Sequence, residues 1–282
     1  MEIKRVGVVG CGTMGSGIVL ACARSGYEVV TSEINDELLK KGLATINAFL
    51  TKSVEKGKIT NEEKEATLAR IRGTTSMQDF SGCDLVIEAA IEDIELKKKI
   101  FNNLNKVCPE SAILASNTSC LSIIDMAMAT TRPEKVLGLH FFNPAAIMKL
   151  LEVVNTIATS GETLEVAKRF GESLGKNIVV SKDCPGFIAN RLAMVYLLES
   201  IRTLECGVAT MEDIDTTMTL GFGHPMGPLT LSDLIGLDVI LHIANSMFEE
   251  TKDTKYAPPN LLKKMVSAGW LGRKTRKGFY EY

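Results

Sequence analysis

The 282-residue chain is 45% hydrophobic and 23% charged, an ordinary globular composition with enough core for one large domain or two of usual size, without help from disulfides or metal. Its 32 basic and 34 acidic residues are interspersed and leave a net charge of −2, which excludes the one-signed field that gathers nucleic acid or coats an anionic membrane. No apolar run approaches the roughly 20 residues of a spanning helix.

The start, MEIKRVGVVG, enters a strand-like run without the apolar region and cleavage site of a signal peptide, so the cytoplasm is the expected location. The glycine-rich turn GCGTMG, Gly10 to Gly15, follows the strand VGVV at once and leads into SGIVLACARSG, whose apolar spacing suits a helix ended by Gly26. At a strand-to-helix junction this GxGxxG is a dinucleotide fingerprint. Gly10 permits the tight turn, Gly12 lets backbone approach a pyrophosphate, and Gly15 allows close helix–strand packing. The helix start at Thr13 and Met14 adds free N–H groups and positive dipole. The next strand, EVVTSE, ends in Glu33, where an acid accepts from the adenine-ribose hydroxyls and repels a 2′-phosphate. No arginine adjoins it, so NAD(H) is expected over NADP(H). Lys52 and Lys56 share a helical face by their spacing, which a solvated charged face explains as readily as an anion contact.

DLVIEA and AILAS continue the alternation of aliphatic runs and polar, helix-patterned segments that signals βαβ units around a parallel sheet. Asn117 and Ser119 then stand where they could cap the helix LSIIDMA. EKVLGLHFF reads as a strand with His140 at its carboxyl end, where open α/β sheets place their ligands. The loop to LLEVVN is too short for a parallel return, so these strands are expected to run antiparallel and set Glu152 against His140. A carboxylate there fixes the imidazole tautomer and stabilises an imidazolium as it forms, which makes the pair a candidate general base with its orienting partner. A hydrogen-bonded pair without chemistry is the alternative.

The alternation covers roughly residues 1 to 181. From Pro185 the segments RLAMVYLLESIRTLE, MEDIDTTMTLG, LTLSDLIGLDVILHIANSMFEE and PNLLKKMVSAG read as helices, and strand-like pattern returns only in GFYEY. The expected architecture is an α/β, Rossmann-type, mostly parallel sheet domain over 1–184 followed by an all-α domain over 185–282. Asn190 falls in the first turn of a helix, a commonplace position for a polar residue. His224 is expected to be structural and His242 to lie in the core or an interface. The seven cysteines form no CxxC pair and are expected to be reduced thiols, with no metal site.

GCGTMGSGI, EAAIED, LASNTSCLSI, GLHFFNPAAIMKLLEVV, CPGFIANR, HPMGPL and GRKTRKGFYEY, in this order and spacing, resemble the (S)-3-hydroxyacyl-CoA dehydrogenase family over essentially the whole chain, and most of all its short-chain bacterial 3-hydroxybutyryl-CoA dehydrogenases. The resemblance implies reversible, NAD-dependent oxidation of a 3-hydroxyacyl-CoA, with His140 as catalytic base and Glu152 as its partner. Matched position by position, it implies that Ser119 and Asn190 hydrogen-bond the reacting oxygen or thioester region. It further implies that Glu92, Lys97, Ser119 and Lys274 contact the cofactor, that Asn143 lies near the nicotinamide, and that Lys52 and Lys56 meet the CoA end of the substrate. A homodimer formed through the helical domain is implied as well. One departure is visible: the ribose acid of the family is usually aspartate, and here it is Glu33. Two other readings stand beside this one, a dehydrogenase of a free hydroxy acid or sugar acid and a non-catalytic NAD-binding protein on the same scaffold. Lys52 and Lys56 argue against the first, and intact candidates at every catalytic position argue against the second. Without a hydratase-like extension, a free-standing enzyme is expected rather than a module of a multifunctional one.

Overall fold

The aliphatic run Val6, Val8 and Val9 is buried because β1 (Arg5–Val9) sits inside an eight-stranded sheet, with helices against it. The computed structural model describes every residue, Met1 to Tyr282, in two units, Met1–Cys184 and Pro185–Tyr282. In the first, β1 is joined by β2 (Glu28–Ser32), β3 (Ile71–Thr74), β4 (Leu85–Glu88), β5 (Ile113–Ser116), β6 (Val136–Phe141), β7 (Leu150–Asn155) and β8 (Asn177–Lys182). Their order is β3-β2-β1-β4-β5-β6-β7-β8, and every pairing is parallel except β6 with β7. Strand order reverses between β1 and β4, and this is the switch point where such sheets open a ligand crevice.

Inner strands such as LVIE of β4 and VLGLHF of β6 are buried at every residue, as expected where helices cover both faces. The edge strands β3 and β8, IRGT and NIVVSK, are only partly buried and mix polar with apolar residues. Neither stands out in the sequence as the inner strands do. The unit's core combines Ile18, Val19 and Leu20 of α1 (Thr13–Arg24) with Val166 and Phe170 of α6 (Gly161–Ser173) and the strand residues beneath them. Between β2 and β3 the chain makes a helical hairpin of α2 (Asp36–Glu55) and α3 (Asn61–Ala69). Asn35 caps α2, and a Thr60/Glu63 capping box starts α3. The crossover β4-to-β5 helix is α4 (Ile94–Val107), and α5 (Ile123–Ala127) follows β5.

The second unit holds α7 (Ala189–Glu205), α8 (Met211–Thr216), α9 (Pro228–Ile235), α10 (Leu237–Thr251) and α11 (Asn260–Ser267) around Leu197, Leu198, Ile201, Ile240 and Met247. LTLSDLIGLDVILHIANSMFEE is therefore two helices and not one. Gly236, at φ 104°, breaks the run, and the two axes differ by 94°. In MEDIDTTMTLG the α-helix stops at Thr216 and a π-helical turn covers Thr217–Gly221. GFYEY makes only isolated bridges, Lys277 with Glu281 among them. Its backbone is held instead by the buried carboxylate of Asp233, which accepts from Phe279 N and Tyr280 N, each at 2.9 Å. Asp215 caps α9 in the same way, accepting from Leu229 N at 2.8 Å and Thr230 N at 3.0 Å. No single helix of the chain is long and apolar enough to cross a membrane.

Candidate active site

The glycine turn has the geometry its spacing predicts. Gly10 is at φ +95°, a Cβ on Gly15 would stand 1.9 Å from the Gly10 carbonyl oxygen, and a Cβ on Gly12 would meet nothing within 4 Å. The N-terminus of α1 has no side-chain cap and no acidic residue in its own first turn, so its first amides and the positive end of its dipole suit an anion. Glu33 is fixed to this turn. Its Oε1 accepts from Cys11 N at 2.7 Å and its Oε2 from Ile34 N at 3.2 Å. Beside it a cleft of 560 Å³ is lined by Gly12, Glu33, Ile34, Leu38, Met77 and Ile91 among others. Open backbone at Gly12, an anchored acid and an apolar wall fit the pyrophosphate, ribose and adenine of NAD.

At the carboxyl end of β6, His140 pairs directly with Glu152 of β7 in the antiparallel register. Imidazole Nδ1 and carboxylate Oε2 are 2.6 Å apart and both side chains are buried. The Phe142 ring lies tilted against the imidazole, centroids 4.7 Å apart. Asn117 ties β5 to this strand, its Oδ1 accepting from Phe141 N at 3.0 Å. Neither Asn117 nor Ser119 caps α5. That cap is Ser122, which accepts from Asp125 N.

Asn143 lies in the loop between β6 and β7 and shares with Gly12, Thr13 and Ala145 the lining of a second cleft, of 370 Å³. The loop is held from behind by Lys176, whose ammonium donates to the carbonyls of Ala145 and Met148, each at 2.6 Å. Burial pushes the Lys176 ammonium below the usual lysine range. Nothing in the sequence around Lys176 marked this role, because its partners are backbone atoms distant in the chain.

The other candidates divide by unit. Glu92 accepts from Ser119 N at 2.9 Å and from the Thr118 hydroxyl, and it lies 3.3 Å from the Lys97 ammonium. Lys97 is buried and bonds Glu88 at 2.6 Å. Lys52, in the last turn of α2, and Lys56, its C-cap, are both exposed. In the helical unit, Asn190 stands in the first turn of α7 and Lys274 is ion-paired with Asp238. His224 Nδ1 is 3.0 Å from the Tyr196 hydroxyl. His242 is exposed and so does not belong to the core of its unit. Five cysteines are buried, Cys184 and Cys206 are exposed, and none is in a disulfide.

Residues 5–184 match the family model described as 3-hydroxyacyl-CoA dehydrogenase, NAD binding domain, and residues 186–282 match that of the 3-hydroxyacyl-CoA dehydrogenase C-terminal domain. The chain belongs to the 3-hydroxyacyl-CoA dehydrogenase family. It is accordingly an NAD-dependent oxidoreductase. The 3-hydroxybutyryl-CoA dehydrogenase of Bradyrhizobium diazoefficiens is 48% identical to it over 280 residues, which covers 99% of this chain and 96% of that protein. The enzyme of the same description from Mycobacterium tuberculosis is 46% identical over 282 residues, covering 99% of each. The crystal structure of (S)-3-hydroxybutyryl-CoA dehydrogenase from Ralstonia eutropha superposes with a TM-score of 0.95 at 43% identity, over 100% of this chain and 99% of that one.

Proposed function

We propose that this dehydrogenase interconverts (S)-3-hydroxyacyl-CoA and 3-ketoacyl-CoA, with 3-hydroxybutyryl-CoA and acetoacetyl-CoA as its preferred pair. The observation that carries the reading is the buried His140–Glu152 pair, 2.6 Å apart, at the carboxyl end of the sheet that carries the dinucleotide turn. NAD supplies the acceptor for the hydride that leaves C3. With Nδ1 engaged by Glu152, Nε2 of His140 is the nitrogen that takes the hydroxyl proton, so the oxygen never holds a full unsupported charge. Glu152 stabilises the resulting imidazolium, and burial of both groups strengthens that interaction. In the reducing direction the imidazolium gives the proton back.

Ser119 and Asn190 hold the reacting oxygen, Asn143 and Glu92 orient groups around the nicotinamide end, and Lys274 with Lys97 serves the cofactor side. Lys52 and Lys56, exposed at the end of α2, present positive charge to the phosphates of CoA. The helical unit leaves Leu192, Leu220 and Phe222 at 68%, 82% and 71% exposure, which supports its use as the contact surface of a homodimer. Light scattering at micromolar concentration is expected to give twice the chain mass, and a monomer would refute that assembly.

The function is tested by following NADH absorbance with 3-ketoacyl-CoA substrates from C4 to C16 and with free acetoacetate. Highest kcat/KM is expected for acetoacetyl-CoA, and equal turnover of free acetoacetate would replace the acyl-CoA reading by one of a free keto acid. His140→Gln is expected to bind NADH as before and to lose about 10²–10⁴-fold in kcat.

A further inference from the structure

Ser119 lies in the segment between β5 and α5, whose backbone amides are largely taken up by side chains. Thr118 N donates to Ser116 Oγ at 3.1 Å, Leu121 N to Thr118 Oγ1 at 3.0 Å and Asp125 N to Ser122 Oγ at 3.4 Å. Those acceptors are neighbours in the chain. Two others reach in from afar. Glu92, 27 residues before Ser119, accepts from Ser119 N at 2.9 Å. Asp183, 60 residues beyond Ile123, grips the first turn of α5, accepting from Ile123 N at 3.2 Å on Oδ1 and from Ile124 N at 2.7 Å on Oδ2.

Asp183 is itself fixed to the strands of the His140–Glu152 pair. Its N–H donates to the Asn155 carbonyl at 3.0 Å, which extends the ladder of β8 with β7, the strand of Glu152. The turn it grips rests on β6, the strand of His140. A Cβ on Gly138 would stand 3.2 Å from Ile123 Cδ1, so Ile123 packs into the space that this glycine leaves. The Ser119 segment is thus referred to both strands at once. Burial pushes the Asp183 carboxyl above the usual carboxylate range, and the two amides, which pull the other way, do not reverse it. A carboxylate that takes two successive amides on separate oxygens fixes the turn in direction as well as in distance.

We propose that Asp183 is a positioning residue for the reaction: it ties the first turn of α5 to the end of the β7–β8 ladder and so holds Ser119 in register with His140. The proposal rests on the role given to Ser119 above. Ser119→Ala alone tests that role, whereas the dependence of one substitution on the other tests Asp183.

The experiment compares Asp183→Asn, Ser119→Ala and the double variant in the full chain. It measures kcat for acetoacetyl-CoA reduction by NADH, hydrogen exchange of the 119–124 amides without cofactor, and thermal unfolding as the check of folding. Asparagine keeps the shape of the side chain and turns one of the two acceptors into a donor. Asp183→Asn is expected to speed exchange at Ile123 and Ile124 and to lower kcat by about 10- to 100-fold, with no further loss when it is added to Ser119→Ala. A loss of the same factor in both backgrounds would overturn the proposal, because Asp183 would then act on the fold at large and not through Ser119. Wild-type kcat in Asp183→Asn would overturn it too. Wild-type kcat in Ser119→Ala would remove the role of Ser119 and this proposal with it. Should Asp183→Asn fail to fold, Asp183→Glu retains both acceptors and displaces them by one methylene. A fall in kcat that disappears in the Ser119→Ala background supports the proposal in that protein, and unchanged kcat refutes it.

Discussion

Glu152 stands directly across from His140 in the only antiparallel pairing of the sheet, with Oε2 2.6 Å from Nδ1. Glu152→Gln keeps an acceptor beside the ring and removes the charge that stabilises the imidazolium. In acetoacetyl-CoA reduction kcat is expected to fall by about 10²–10⁴-fold while NADH affinity is retained. Stopped-flow absorbance and a fluorescence titration check the two halves. An equal loss of NADH binding would move Glu152 from proton transfer to cofactor binding.

The glycine turn predicts opposite outcomes for two neighbouring substitutions. Gly15→Ala would drive a Cβ to 1.9 Å from the Gly10 carbonyl oxygen, and the backbone must yield at a cost of about 1–3 kcal/mol or more. Gly12→Ala meets nothing within 4 Å, so the protein should melt at the wild-type temperature. Its methyl group would occupy the space the phosphates approach, and NADH affinity is expected to fall by about 10-fold or more. Thermal melts paired with NADH titration decide both, and a wild-type affinity for Gly12→Ala would contradict the placement of the pyrophosphate.

Lys176 makes a different kind of prediction. Lys176→Met withdraws the donor from two carbonyls of the loop that carries Asn143, yet it also removes a desolvated ammonium. The two effects oppose each other, so global stability in urea should change by only about 1 kcal/mol. The loop itself should loosen. Amide exchange over residues 143–149 is expected to accelerate, and unchanged exchange would show that the ammonium does not hold it.

Alkaline stability follows from the buried thiols. Burial pushes Cys22 and Cys83 from an ordinary 9.0 up to about 12, and Cys108 up to about 11. Above pH 9 the unfolded chain releases these protons while the native protein keeps them, so the unfolded state binds fewer protons and stability falls as pH rises. Stability from this source is intact below pH 9 and is lost through the window from 9 to about 12. The expected slope is about 1 kcal/mol per pH unit for each thiol. Urea unfolding at several pH values should show a shallower slope for Cys22→Ala than for the wild type; identical slopes would mean that Cys22 ionises as readily folded as unfolded.

Much of this was legible in the sequence because the signals are local. GCGTMG announces its turn, Glu33 its place at the end of β2, and the short connection from His140 to LLEVVN the antiparallel return that brings Glu152 into register. The inner strands declare themselves by uninterrupted aliphatic runs. The edge strands β3 and β8 do not, since half-exposed strands tolerate the Arg, Asn and Lys that blur the pattern. The break at Gly236 was hidden because one glycine inside an apolar helical run is compatible with either a continuous or a bent helix. Least visible were Glu88, Lys97 and Lys176, whose partners lie across strands or on distant carbonyls. A buried charge is written into a sequence only as a charge; what neutralises it is set by the fold.

The single reversed strand pairing also governs which changes in chain length the enzyme can absorb. Residues may be gained or lost between Phe142 and Lys149 without separating His140 from Glu152, since both are held by the ladder between β6 and β7. A slip of one position inside either strand is another matter, because it would turn one of the two side chains to the opposite face of the sheet. Insertions in the connecting segment should therefore disturb Asn143 and the backbone that Lys176 holds while leaving the pair in register, whereas insertions in the strands should break the pair itself, a difference that insertion scanning would display as an edge after Phe141.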